Sequence, residues 1–324
     1  MEKKQDINGM ERRENPNDKP ASDVTPSGGR RVIIPYFRSE DKDFTLLKGD
    51  SMDLLGQFKF KFDAIFADPP YFLSNGGLSF QSGEVVCVDK GDWDKSEGTK
   101  SMDEFNMEWI AACRDKLKDE GTIWISATHH NFSSVDRALN ILGFKNLNVI
   151  TWVKTKHSPS VFHRSFTYST EAVIWARKSQ RKAHYFDFEL MRHINGGKQM
   201  TDVWNLPLAA SWEKSCGKHP TQKPLCLLAR ILLASTRPGD WVLDPFAGSC
   251  TTGIAASLLG RRFLGIDSER EYLEIGKERR EELDKDGIRN LYIDKLDRQA
   301  SLGLDYINDN GMVGEEPIRF ELPF

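Results

Sequence analysis

Several common classes of protein are excluded by what this 324-residue chain lacks. It has five cysteines, Cys87, Cys113, Cys216, Cys226 and Cys250. The number is odd and no CxxC pair occurs, which argues against a disulfide framework or a zinc site and for a reducing cytoplasm. No apolar run is long enough to cross a bilayer, and Met1–Asp6 does not make a signal peptide. A cytoplasmic protein with no membrane partner is therefore expected. The seven histidines are scattered and propose no metal site. A net charge of −3 does not by itself announce a nucleic-acid binder.

What is present is enough apolar material for a large core, at 39% hydrophobic residues, and a well-solvated surface, at 29% charged. Residues 1–30 are polar and rich in proline and glycine, and read as a disordered leader. Strands are expected at 44–47, 62–67, 122–126, 147–153, 171–176, 241–243 and 263–266. Helices are expected at 52–55, 103–118, 133–142, 224–234, 251–259 and 269–283. This alternation predicts an α/β domain with a mostly parallel sheet covered on both faces, spanning residues 31–285. Residues 72–100 form a long connection of turn residues, including Trp93, of a length typical of a lid or binding loop. Residues 286–324 form a tail with no readable role.

Two strand ends carry the chemistry. The first is Phe62–Ala67 followed by Asp68-Pro69-Pro70-Tyr71. The prolines cannot donate to a sheet ladder, so the strand stops there and leaves a stiff platform with a carboxylate, a carbonyl and an aromatic ring. Two acceptors and a ring suit an exocyclic amine on an aromatic base. A Pro-rich turn or peptide ligand is the plainer alternative. The second is Val242-Leu243-Asp244-Pro245-Phe246-Ala247-Gly248-Ser249, with Thr251 and Thr252 opening a helix. It is neither GxGxxG nor a P-loop. Asp244 suits a cationic amino group, and Asp267, 23 residues later, is placed to hold ribose hydroxyls. Each acid alone also fits a helix N-cap. Together with the glycine turn they fit a nucleoside with an amino-acid tail, which describes S-adenosylmethionine.

Charge is uneven. Residues 151–224 hold 12 Lys+Arg and 5 Asp+Glu, a local +7, against −10 elsewhere. A basic middle on an acidic body is expected if one face meets phosphates, although a solvated segment would look the same.

The motif Asp68-Pro69-Pro70-Tyr71 resembles the catalytic motif of DNA amino-methyltransferases. His219-Pro220-Thr221-Gln222-Lys223-Pro224, followed by the Asp244 motif, is similar to their cofactor region. The order, catalytic motif first, then a basic segment, then the cofactor motif, resembles the beta group of restriction-modification enzymes. Within that group Phe66–Gly77, Val88–Lys95, Lys198–Trp204 and Gly217–Pro224 are most similar to the Dpn-type adenine methyltransferases acting at GATC. The resemblance covers about residues 44–284. It implies a Rossmann-like methyltransferase fold with permuted motif order, S-adenosylmethionine as cofactor and DNA, double- or single-stranded, as substrate. A cognate endonuclease and a homodimer would be compatible with it. Cytosine N4, RNA or a small amine as target, and a non-catalytic DNA-binding relative, remain alternatives.

By resemblance, Asp68 and the Pro69 carbonyl would accept hydrogen bonds from the target amine, Pro70 would stiffen the platform, and Tyr71 would stack on the extruded base. Asp50 would meet the cofactor's adenine end. Asp244, Phe246, Gly248 and Ser249 would line the cofactor, Asp267 its ribose, and Thr221 and Lys223 its other rim. The family usually has glycine where Cys250 stands, and if the position needs φ > 0 a Cβ there costs about 1 kcal/mol or more. A target-recognition insert is expected over about 156–216. Lys156, Arg164, Arg177 and Lys178 would hold phosphates, and Asn195, Lys198, Gln199 and Asn205 would read base edges.

Overall fold

A computed structural model describes residues 33–71, 101–156, 164 and 166–302, together with the backbone of 78–81 and 84–87. The leader over 1–30, Trp93 and residues 303–324 lie outside the described residues. In chain order the elements are β1 Phe37–Arg38, β2 Phe44–Lys48, α1 Ser51–Gln57, β3 Phe62–Ala67, β4 Leu78–Gln81, β5 Glu84–Cys87, α2 Met102–Lys116, β6 Leu117–Ala127 and α3 Phe132–Ile141. They continue with β7 Lys145–Lys154, β8 Thr170–Arg177, α4 Phe188–Ile194, β9 Val203–Leu206, α5 Leu225–Ser235, β10 Trp241–Asp244, α6 Thr251–Leu258, β11 Arg262–Asp267, α7 Arg270–Glu282 and α8 Ile288–Ala300.

Nine strands form one sheet in the order β1-β2-β11-β10-β3-β6-β8-β7-β9, while β4 and β5 pair as a separate hairpin. The five strands from β2 to β6 are parallel, and β8 runs against both of its neighbours. Side chains alternate between two cores, as a two-residue period requires. Leu46, Phe66, Val242 and Phe263 face one core, and Leu47, Ile65, Leu243 and Leu264 the other. The first core is covered by α4–α8 and the second by α1–α3.

Local signals explain where elements begin. Ser101 and Glu104 form a reciprocal capping box at the start of α2. The Leu-rich α5 is buried along its whole length, so each large side chain contributes about 1.5–3 kcal/mol of apolar burial. Its first N–H, on Leu225, donates to the buried Glu213 carboxylate at 2.7 Å.

Three stretches differ from expectation. The strand expected at 122–126 begins at Leu117, directly after α2, with an irregular register against β3 between Phe62 and Ala64. The segment read as an insert over 156–216 gives β9 to the main sheet beside the expected strand at 171–176, and Trp175, Leu190, Trp204 and Leu206 to the core. The tail read from 286 begins with α8, whose Tyr292, Leu296 and Ala300 are buried in that core. The packed body therefore reaches Leu302.

Candidate active site

Because β2, β11, β10 and β3 lie side by side and parallel, their carboxyl tips form one edge. Asp50 follows β2, Asp267 closes β11, Asp244 closes β10 and Asp68 follows β3. All four line one cavity of about 290 Å³. A crevice outside the carboxyl ends of a parallel sheet is the usual ligand site of such folds. The Ser51 hydroxyl donates to the Pro245 carbonyl and ties two of the tips together.

Three of these acids shape the crevice from within. Asp50 caps α1, its carboxylate accepting from Met52 N at 2.8 Å and Asp53 N at 3.1 Å. Asp244 accepts from Thr252 Oγ1 at 2.6 Å and Phe246 N at 3.1 Å. Burial pushes its carboxyl up to about 7, and the two hydrogen bonds offset only part of that. Asp267 accepts from Gly248 N at 2.7 Å and Glu269 N at 2.9 Å, fastening the glycine turn to the neighbouring strand; burial raises its carboxyl as well.

The turn itself is left-handed at two positions. Gly248 has φ +48°, and a Cβ there would come within 3.1 Å of His219 Nε2. Cys250 has φ 60° and ψ 32°, so the residue standing at the family's usual glycine does occupy the region that glycine favours. Its buried sulfur lies 2.2 Å from where a Cβ on Gly276 of α7 would sit. Arg279, also on α7 and fully buried, donates to Ser249 O at 2.6 Å and Thr251 Oγ1 at 3.0 Å.

Phe246 packs edge-on against Trp109 with centroids 5.4 Å apart, and Phe105 lies 6.3 Å from Phe246. Phe105 belongs to α2 and lies outside both sequence motifs. Thr221, Ser249, His219, Ser268 and Tyr272 also line the cavity. His219, whose imidazole burial drives down to about 4, is neutral at physiological pH. His219 stands in the quoted motif without a role assigned to it, and Tyr272 lies outside both motifs.

On the other side of the crevice, Asp68 is gripped twice. Its Oδ1 accepts from the Tyr71 hydroxyl, and its Oδ2 from Lys223 Nζ at 2.6 Å. Tyr71 lines the cavity with its ring; its hydroxyl also lies 2.9 Å from Ser126 Oγ. Burial, then the Asp68 charge, raise the phenol well above its ordinary value, so it remains a donor. Lys223 was expected on the cofactor rim. It lines the cavity, but its ammonium turns to Asp68, with Glu171 of β8 3.6 Å away. Burial opposes that charge, yet Asp68, Tyr71 and Glu171 hold it well above the lysine range.

The expected DNA-binding residues divide. Lys156 follows the carboxyl end of β7 and Asn205 lies near that of β9, at the same edge as Asp68, and both are exposed, as is Arg164. Arg177 and Lys178 do not belong with them. Strand β8 is antiparallel, so its carboxyl end pairs with the start of β6, at the opposite edge of the sheet. There Lys178 Nζ donates to Leu117 O at 2.7 Å and Arg177 to Gln180 O at 3.2 Å. Asn195 donates to the carbonyls of Lys198 and Gln199, closing the turn that enters β9 from its amino end, away from the strand tips. Those three are thereby turn residues at the amino end of β9, away from the edge that carries Asp68. Sequence reasoning passed over His129, whose exposed ring stacks on Tyr168 with centroids 4.3 Å apart.

The cavity joins an acid that can grip an amine to a glycine turn that can grip a nucleoside. Residues 62–278 match the N6/N4 DNA methylase family, described as "DNA methylase". The type II methyltransferase M2.MboI of Moraxella bovis is 50% identical over 270 residues, covering 83% of this chain and 98% of that protein. M2.DpnII of Streptococcus pneumoniae is 52% identical over 256 residues, covering 78% and 95%. Among solved structures, M1.HpyAVI in complex with SAM is 31% identical, with a TM-score of 0.56, covering 73% of this chain and 98% of that one. The cytosine-N4-specific PvuII DNA methyltransferase is 19% identical with a TM-score of 0.62, covering 82% and 95%, and shows the shared fold. With the family model matched over more than half of the chain and 50% identity to a type II methyltransferase over 270 residues, this chain belongs to the N6/N4 DNA methylases.

Proposed function

We propose that the protein transfers a methyl group from S-adenosylmethionine to the N6 amino group of adenine in GATC. The observation that carries this reading is the single cavity shared by Asp68 and the Asp244–Ser249 turn. The adenine and the GATC site rest on the Dpn-type resemblance, which the identity to M2.DpnII supports. A cytosine-N4 target is the second reading, because a cytosine-specific enzyme shares the fold.

The residues present fit the donor. Asp244 offers a buried carboxylate to an ammonium, Gly248 leaves room where a Cβ would meet His219, and Asp267 stands at the next tip for ribose hydroxyls. Phe105 and Phe246 form an apolar wall for an adenine, with Asp50 and Ser268 beside it. When bound, the donor supplies a methyl group on an electron-poor sulfonium.

The protein's contribution is positioning and hydrogen bonding. An aromatic amine is a weak nucleophile because its lone pair is delocalised into the ring. Asp68 and the Pro69 carbonyl accept its two N–H groups and draw the nitrogen toward a tetrahedral shape, an interaction that strengthens as the bond forms. The Tyr71 hydroxyl, itself met by Ser126 Oγ, holds the carboxylate in place while the Tyr71 ring faces the base. Since the amine of a paired adenine points into the duplex, the base must be flipped out or already unpaired. Lys156, Arg164 and Asn205 meet the strand around it.

In a type II system the companion protein would be an endonuclease for the same site, and a reducing cytoplasm would house both. Light scattering on the purified chain would decide between monomer and homodimer. Among the described residues no helix is long and apolar enough to cross a membrane.

The test is tritiated-methyl transfer to GATC oligonucleotides, duplex and single-stranded, followed by nucleoside analysis. N6-methyladenine from the wild type and none from Asp68→Ala is the expected result. N4-methylcytosine would establish the second reading, and equal labelling by both enzymes would remove Asp68 from its role.

A further inference from the structure

Lys223 occupies a place that the proposed chemistry cannot tolerate throughout a turnover. Its ammonium sits 2.6 Å from Asp68 Oδ2 and 3.4 Å from the Tyr71 hydroxyl, and it is buried. With the Tyr71 hydroxyl on Oδ1, both oxygens of the acid are engaged. A carboxylate paired with an ammonium is a poorer acceptor for a third donor. Methyl transfer also places positive charge on the amine nitrogen, beside Asp68, where a neighbouring ammonium would repel it.

A second berth lies within reach. Glu171, at the start of β8, places Oε2 3.6 Å from Lys223 Nζ. That oxygen is buried and has no hydrogen-bond partner among the described residues. Its sister oxygen, Oε1, is fixed by Lys154 at 2.6 Å, which holds the carboxylate facing Lys223. Lys223 thus lies between two acids, bonded to Asp68 and faced by Glu171, whose other oxygen Lys154 already holds. His219, which lines the same cavity, is neutral and provides no competing charge.

We propose that Lys223 is a two-position cation, resting on Asp68 in the substrate-free protein and moving to Glu171 when the target amine arrives. Glu171 is then a positioning residue of the reaction. It acts by drawing the ammonium away from the acid that must receive the amine, and it never touches the base. This inference rests on the methyltransferase reading above and adds to it a residue outside both motifs.

The test is a mutant cycle on the full-length protein, reading kcat and KM for S-adenosylmethionine and for GATC DNA. Glu171→Gln keeps the shape and removes the charge. It should lower kcat about tenfold while KM for the donor stays within about twofold, and Glu171→Asp should recover part of the loss. In a Lys223→Met background the further change Glu171→Gln should have no effect on kcat, because the ammonium it would have drawn off is gone. Circular dichroism melts confirm that each variant is folded. If Lys223→Met does not fold, the kcat–KM split of Glu171→Gln and its recovery in Glu171→Asp carry the decision alone. An active wild type with unchanged kcat in Glu171→Gln would overturn this inference and leave the enzyme assignment standing. Equal loss with and without Lys223 would show that Glu171 serves only to hold β7 through Lys154. A wild type that labels no DNA would overturn the enzyme assignment and this inference with it.

Discussion

The Asp244 carboxyl is the most strongly perturbed acid in the crevice, and its titration should govern cofactor binding. Moving it from an ordinary 3.8 to about 7 corresponds to about 4 kcal/mol between its two protonation states. The sign follows from burial: the folded protein holds this proton more tightly than the unfolded chain does. The empty protein therefore loses stability as pH rises from about 4 to about 7, where the proton leaves. A cationic amino group needs the ionised form and relieves the same penalty. The ionised fraction rises about tenfold between pH 6 and pH 8, so the Kd for S-adenosylmethionine should fall by about that factor over the range. At pH 7 binding should release about half a proton. Calorimetric titrations in two buffers of different ionisation enthalpy, on wild type and Asp244→Asn, measure both quantities. The ligand's own titration is common to the two proteins and cancels in the difference. Asp244→Asn should bind at least about a hundredfold more weakly at pH 8 and show no excess proton release. Parallel pH profiles for the two proteins would refute the pairing of Asp244 with a cation.

Three further outcomes are expected. Gly276→Ala should destabilise the protein by about 2–3 kcal/mol in urea titrations, because the new methyl group meets the Cys250 sulfur; in a Cys250→Gly background at least about 1 kcal/mol of that loss should disappear. Phe105→Ala should raise the Kd for the donor about tenfold, with kcat at saturation little changed, in equilibrium binding and steady-state assays. Lys156→Ala and Arg164→Ala should each reduce the slope of log affinity against log salt by about 1, whatever the DNA sequence, whereas Lys178→Ala should leave the slope unchanged.

The two strand ends that line the crevice were legible because their punctuation is local. Paired prolines stop β3, and a glycine turn with a left-handed residue stops β10, so acid and turn could be placed at strand tips from sequence alone. Their meeting depends on strand order, which brings β10 beside β3 across some 175 residues. Arg177 and Lys178 could not be placed from a charge count, which does not say at which end of a strand a residue stands. Reversal of β8 sends Arg177 and Lys178 to the far edge. Strand β9 escaped notice because it is a four-residue edge element, and α8 because its buried positions are few among charged neighbours. Lys223 carried the right motif, but its partner lies 155 residues away and cannot be read from spacing.

The row of acids at the strand tips also sets an order of loading. The described lining of the crevice carries Asp50, Asp68, Asp244, Asp267 and Glu269 against Lys223 alone, an anionic mouth in an enzyme whose substrate is a polyanion. Until a cation enters, that mouth repels phosphates; once the donor, whose sulfonium, ammonium and carboxylate sum to +1, is seated, part of the repulsion is removed. The methyl donor therefore acts as an electrostatic key, and DNA affinity should rise more with the charged donor than with its uncharged thioether product. Release would then follow from the same field, since losing the sulfonium charge restores the repulsion as soon as the base is methylated.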